Sequence, residues 1–204
     1  MARSAPSKPS RGRPREFDVD TVVERAMNVF WSSGYHATSL PDLVQATQLS
    51  RSSLYAAFGD KHGLFLHALD RYIADALRRL DLELDSRKSA MRGLQDCLAG
   101  YIARTSGALG KRGCLLVATA MELASHDPGV ARRIRHFFEA MQSRLVEALA
   151  RAKAEGELAD GVEPPHIARL LICLFEGMRV VGKTGQEPRT SEAMVRALLD
   201  CVSK

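Results

Sequence analysis

Aromatic side chains make up only 6% of the 204 residues, with a single tryptophan. Valine, isoleucine and threonine seldom alternate with polar residues at a period of two. Both scarcities speak against an all-β fold, whose strands draw on those residue types. No run reaches the about 18 apolar residues of a membrane-spanning helix, so no membrane span is expected. The N-terminus is basic but no apolar core follows it, so it does not read as a secretory signal. It is also Ser/Pro-rich and short for a transit peptide. The four cysteines, Cys97, Cys114, Cys173 and Cys201, lie far apart with no C-x-x-C. Neither a disulfide framework nor a zinc-finger spacing is present, and a reducing cytoplasm is the expected compartment. No P-loop, G-x-G-x-x-G or Ser-His-Asp order occurs, so the chain is not expected to be an enzyme or to hold a cofactor. His126 and His136 have no His or Cys partner at i, i+4; each reads as a cap or surface histidine, and no metal site is expected.

What remains is ordinary for a soluble globular chain: 46% apolar, 26% charged, rich in Ala, Leu and Arg. The net charge is +5, and nearly all of the excess sits in residues 1–16. There Arg3, Lys8, Arg11, Arg13 and Arg15 face only Glu16. Rich in Pro, Ser, Gly and Arg, this segment reads as a flexible basic arm, either a nucleic-acid footprint or a solvated tail.

Helical periodicity begins at Asp18. Val19, Val22, Val23, Ala26, Met27 and Phe30 follow i, i+3, i+4 spacing, and Gly34 reads as the C-cap. Ser39 and Asp42 form a capping box that opens a short helix over 40–47. Ser50 caps another, 51–58, which Gly59 ends. Asp60 caps a long helix from Lys61 to Leu84. Two short helices joined by three or four residues, after a longer one, give a helix-turn-helix layout. Further helices are expected around 94–102, 114–124, 128–156, 167–181 and 194–202, with a loop at 107–113. The fold class is therefore all-α with about nine helices: a small three-helix domain at 17–65, then a larger helical domain at 66–204. Phe17, Phe30, Leu43, Leu54 and Phe58 are the candidate core of the small domain.

Three ordered segments carry more than periodicity: F-x-x-x-G-Y-x-x-T-S from Phe30, D-L-V-x-A-T-x-L-S from Asp42, and L-Y-x-x-F-x-x-K-x-x-L-F from Leu54. Together they closely resemble the DNA-binding domain of the TetR/AcrR family of bacterial transcriptional regulators. The resemblance implies a homodimeric, sequence-specific regulator of double-stranded operator DNA, released as a repressor by an unidentified small-molecule effector. It places Thr38, Ser39, Tyr55 and Lys61 at phosphates and Arg51, Ser52 and Ser53 at bases. The first turn of a recognition helix independently favours the latter three, since Arg can fork onto guanine and Ser can donate or accept. Leu40 departs from members with a polar base reader at that position. An interaction module or an activator without ligand-induced release is the alternative.

In the second domain the resemblance implies dimerisation and effector binding. The helix over 167–181 carries more apolar faces than one monomer core needs, so an isologous interface could cover one of them; Leu171, Phe175, Met178, Met194 and Leu198 are its candidates. The segment KRGCLLVATAMELASHDP resembles a Gly-Cys subgroup of the family, one branch of which is linked to copper response. Cys114, Ala118, Met121, Glu122, Phe137 and Met141 are the candidate effector-pocket residues. Cys114, beside Lys111 and Arg112 at a helix N-terminus, is either an activated thiol or a small buried packing residue. Glu122 either faces the pocket or pairs with a neighbouring Arg.

Overall fold

The computed structural model describes residues 17–85, 89–185 and 188–204. The basic arm, 1–16, lies outside the described residues. Among the described residues there are ten helices and no strand beyond one isolated bridge, Leu158 with Ser203. They are α1 (Val19–Ser33), α2 (Leu40–Thr47), α3 (Arg51–Phe58), α4 (Lys61–Leu84), α5 (Ala90–Thr105), α6 (Gly107–Arg112), α7 (Leu115–Leu123), α8 (Pro128–Ala154), α9 (Pro164–Gly182) and α10 (Pro188–Val202). All nine expected helices are present.

The tenth, α6, replaces the loop expected at 107–113. Three glycines suggest a loop, but Gly110 serves packing: a Cβ there would sit 2.3 Å from the Thr105 carbonyl oxygen. Gly182 approaches the same carbonyl, at 2.1 Å for its hypothetical Cβ. Glycine at both positions lets α6 and α9 close on the end of α5.

Local capping sets where the first helices begin. The Asp18 carboxylate accepts from the Asp20 N–H at 3.1 Å. Gly34, at φ 81°, ends α1 by donating its N–H to the Phe30 carbonyl at 2.8 Å. Such a φ favours glycine because no Cβ clashes there. α1, α2 and α3 then close around Phe30, Leu43 and Leu54, all buried, with Phe30 edge-on to Phe65 of α4 at 5.1 Å. Phe58 is buried too, and Phe17 packs partly buried against this core.

The helix α4 joins both parts of the molecule. Its 24 residues span about 36 Å at 1.5 Å per residue. Its start packs with the small head, and its remainder packs on α5, α7 and α8. The larger core gathers Leu98, Leu115, Leu116, Leu145, Leu149 and Phe175, each at most 2% exposed. No helix among the described residues is long and apolar enough to cross a membrane.

Candidate nucleic-acid interface

The turn between α2 and α3 is Gln48-Leu49-Ser50. Gln48 takes a left-handed conformation (φ 60°, ψ 22°) and caps α2 through its N–H to the Val44 carbonyl at 3.0 Å. Ser50 then opens α3, its hydroxyl accepting from the Ser53 N–H at 3.1 Å. The Ser52 and Ser53 hydroxyls each lie 2.9 Å from that of Ser50. Arg51, Ser52 and Tyr55 are exposed and Ser53 is half-buried. The Arg51 guanidinium lies 5.2 Å from the Tyr55 ring centroid. The first turn of α3 therefore offers a cation, hydroxyls and free helix N–H groups on one open face, a set suited to base edges and phosphates.

The neighbouring helix starts point polar groups outward as well. Ser39 and Asp42 form a reciprocal capping box: the Ser39 N–H donates to the Asp42 carboxylate at 2.8 Å, and the Asp42 N–H donates back to the Ser39 hydroxyl at 3.3 Å. The Ser39 hydroxyl, then its backbone N–H, hold the Asp42 carboxyl below its ordinary range. At the start of α4, the Asp60 carboxylate accepts from the Gly63 N–H at 2.7 Å. Gly63 is a residue sequence reasoning missed; a Cβ there would lie 2.0 Å from the Phe58 carbonyl oxygen. Lys61, half-buried, places its ammonium 4.5 Å from the Tyr35 ring centroid. Burial, then the carboxylates of Asp60, Asp127 and Glu122, push the Tyr35 phenol up.

Thr38 corrects one expectation. Its side chain is buried and its hydroxyl donates to the Gly34 carbonyl at 2.6 Å, so a phosphate would meet its backbone rather than its hydroxyl. Leu40 is half-buried against the core rather than projecting as a reader.

Among the described residues Glu122 pairs with no Arg; backbone N–H groups engage it instead. Its carboxylate accepts from the Tyr35 N–H at 2.9 Å and from the His36 N–H at 2.7 Å, in the turn after α1. It ties α7 to the head. Other contacts flank it: the Trp31 indole N–H donates to the Gly113 carbonyl at 3.2 Å, Arg112 donates to the Asn28 amide oxygen at 2.6 Å, and His62 lies 3.2 Å from Asp127. Nothing in the sequence pairs these residues; only the fold brings them together.

Of the other pocket candidates, Phe137 and Met141 line a small internal cavity, whereas Ala118 and Cys114 do not. Met121 is 84% exposed and points away from the core, because the apolar run of α7 covers more of its circumference than the core can accept. Cys114 is buried, with its sulfur 3.4 Å from the Tyr72 hydroxyl. Arg112, expected to activate that thiol, instead stacks on Trp31, with its guanidinium carbon 3.8 Å from the ring centroid. Among the described residues, no group of three or more His, Cys, Asp or Glu is placed to hold a metal ion. On α9, Leu171, Phe175 and Met178 turn inward; Phe175 stacks on Tyr101 at 3.8 Å. The outward stripe comprises Leu170 (55% exposed), Val180 (55%) and Val181, with the exposed Gly177 between, and Met194 of α10 is exposed as well. Leu198 is half-buried.

A helix-turn-helix with an open, capped recognition turn, carried on a helical core through one continuous helix, defines a DNA-binding transcriptional regulator rather than an enzyme. The chain belongs to the TetR family: residues 22–68 match the family described as "Bacterial regulatory proteins, tetR family", and residues 90–198 match "Tetracyclin repressor-like, C-terminal domain". It is 32% identical over 182 residues to the HTH-type transcriptional repressor ComR of Escherichia coli (strain K12), covering 87% of this chain and 85% of that one. It is 31% identical over 147 residues to the uncharacterized HTH-type transcriptional regulator YezE of Bacillus subtilis, covering 72% and 76%. A cysteine mutant of the TetR family regulator CifR, solved with 26bp double-strand operator DNA, superposes with a TM-score of 0.81 at 32% identity, covering 94% of this chain and 100% of that chain.

Proposed function

We propose that the chain is a homodimeric repressor whose paired α3 helices enter successive major grooves of an operator, and which a small effector releases. The observation that carries this reading is the exposed first turn of α3, flanked by the capped starts of α2 and α4. In it, Arg51, Ser52 and Ser53 read bases. Ser39, Tyr55, Lys61 and the Thr38 backbone hold phosphates, and the basic arm 1–16 adds charge. The operator relative CifR and the relatives named repressors support the reading. The division at residue 65 falls inside α4, so the head and core are proposed to move as units joined by one stiff helix.

Dimerisation is assigned to the outward stripe of α9 with Met194. Free Gly177, with nothing within 4 Å of a hypothetical Cβ, would let two copies of α9 approach closely. An isologous contact of that kind sets two recognition helices about 34–36 Å apart, one turn of DNA. Selection of bound sequences from a random duplex library tests the reading. The expected product is an inverted repeat; enrichment of no sequence over bulk duplex would refute it.

A further inference from the structure

The cavity within the C-terminal core is small, and polar and apolar side chains share its lining. It encloses about 10 Å³, room for about one water. Phe137 and Met141 of α8 form its apolar end. Its charged lining is Arg104 and Arg179 against Glu83, together with Arg79, which is itself exposed to solvent.

That imbalance is larger than it looks. Arg104 forks onto both oxygens of Glu83, the second contact at 3.1 Å, so the one lining carboxylate is already spent. The Arg104 Nε, a buried donor, has no acceptor. Arg179 shares its buried surroundings with Cys114, Tyr101 and Tyr72, its guanidinium 4.9 Å from the Tyr101 ring centroid. Among the described residues no carboxylate comes within 4.0 Å of it. Glu176, one turn earlier on α9, feels the Arg179 charge, but its Oε2 is buried without a hydrogen-bond partner. Burial pushes the Glu176 carboxyl up. The Arg179 guanidinium, half-buried, meets the Tyr101 hydroxyl but no carboxylate, and a bidentate carboxylate is the partner its planar fork fits.

We propose that this cavity is the effector site and that the effector is a small monocarboxylate. Its carboxylate sits on Arg179 beside the Tyr101 hydroxyl, and its apolar end lies toward Phe137 and Met141. The proposal rests on the reading of the chain as an effector-released repressor.

The smallness of the cavity supplies the mechanism. Even a two-carbon acid exceeds one water, so binding requires the walls to part. Ala76, Arg79, Leu80 and Glu83 make the α4 wall, and α4 runs without interruption to Lys61 at the head. A ligand that fits only the parted state has the unequal affinity for two states that release demands.

The test uses the purified full chain with acetate, butyrate and benzoate as sodium salts, and butyramide and benzamide as uncharged counterparts at matched ionic strength. Thermal unfolding is read without DNA, and fluorescence anisotropy is read with labelled operator. A carboxylate is expected to raise the unfolding midpoint by roughly 5 °C at a hundredfold excess over its Kd and to weaken operator binding at least tenfold. The amides should do neither, and Arg179→Met should lose both effects. Because Arg179→Met strands Glu176, the variant Arg179→Met with Glu176→Gln removes both charges and keeps the test valid if the single variant fails to fold. No stabilisation by any of the three acids, equal stabilisation by the amides, or a response that survives in the folded double variant would each overturn the site. An acid that binds through Arg179 while the operator stays bound would uphold the anion site and overturn effector release. Release by an uncharged compound, independent of Arg179, would do the reverse.

Discussion

Removing the Glu122 carboxylate should loosen the head from the core. That carboxylate accepts two backbone hydrogen bonds, from Tyr35 at 2.9 Å and His36 at 2.7 Å, in the turn opened by Gly34. Hydrogen bonds to a charged acceptor contribute roughly 1.5–3 kcal/mol each when water cannot replace them. The Tyr35 N–H is part-buried, so its loss should cost near that range. The His36 N–H is exposed and water will largely take the place of the carboxylate. Glu122→Ala should therefore destabilise the protein by about 2–3 kcal/mol, and Glu122→Gln, which keeps one acceptor oxygen without the charge, by about half as much.

The measurement is urea unfolding of the full chain, read as a lower midpoint at an unchanged slope, so that the change is one of stability. Operator anisotropy on the same variants reports the position of the heads. If Glu122→Ala unfolds within about 0.5 kcal/mol of the wild type, a shift typical of a neutral surface substitution, the bracing role is wrong. An Ala variant that loses stability while Gln matches it fully would instead show that only the charge matters.

The remaining expectations concern other parts of the surface. Lys61→Ala should lower the magnitude of the salt slope of operator binding by about one while leaving sequence preference unchanged; an unaltered slope in the folded variant would remove Lys61 from the phosphate set. Leu170→Glu, which charges the outward stripe of α9, should give monomers with weakened operator affinity, as light scattering will show; a wild-type monomer at micromolar concentration would refute that interface. A maleimide should label the exposed Cys201 before the buried Cys97 and Cys114, and Cys97 should be slowest because burial, then Glu83, push its thiol up to about 12; Cys173, on the α9 face of Leu170 and Gly177, should label faster in the Leu170→Glu monomer than in the wild type, and labelling of Cys114 before Cys201 would restore the activated-thiol reading of that residue.

What could be read from sequence is what the chain decides locally. Ser39 with Asp42, Ser50 and Asp60 act within three or four residues of themselves, and all cap helices in the structure. The head core of Phe30, Leu43, Leu54 and Phe58 follows from periodicity in short amphipathic helices with only one apolar face. α9 defeats the same reasoning because it carries two apolar stripes. Periodicity detects both but cannot say that Phe175, stacked on Tyr101, faces inward while Leu170 faces out. That Met121 points outward is not legible for a related reason: an almost wholly apolar helix carries no directional signal. The partners of Glu122 lie 86 and 87 residues away, so no spacing rule reaches them. Gly110 falls in a segment that reads as a loop, although the crowding that requires glycine there, and at Gly182, comes from the Thr105 carbonyl of a third helix.

The contacts that brace the head also bear on how strong an effector must be. The head joins the core covalently only through α4, which alone would let it swing. Laterally it is held by Glu122 on the turn after α1, Trp31 on Gly113, Arg112 on Asn28 and Trp31, and His62 on Asp127. These contacts cluster around α7, whose start is capped by the Cys114 that touches Tyr72, itself edge-on to Trp31 at 5.0 Å. A shift of α4 at Ala76 therefore cannot leave the brace undisturbed, because Tyr72 lies one turn closer to the head on the same helix. If the shifted state gives up the Glu122 and Trp31 hydrogen bonds, the gap between states is about 3–4 kcal/mol. Driving a population from 1:99 to 99:1 takes about 5.5 kcal/mol of differential affinity. Close charge pairs are worth about 1.5–7 kcal/mol, a range that includes this figure, whereas added apolar contact with Phe137 and Met141 alone, at about 0.8 kcal/mol per buried methylene, would need about seven methylene groups. A cavity of about 10 Å³ has no room for so long a chain without a far larger rearrangement, and this argues that charge, rather than bulk, supplies the switching energy.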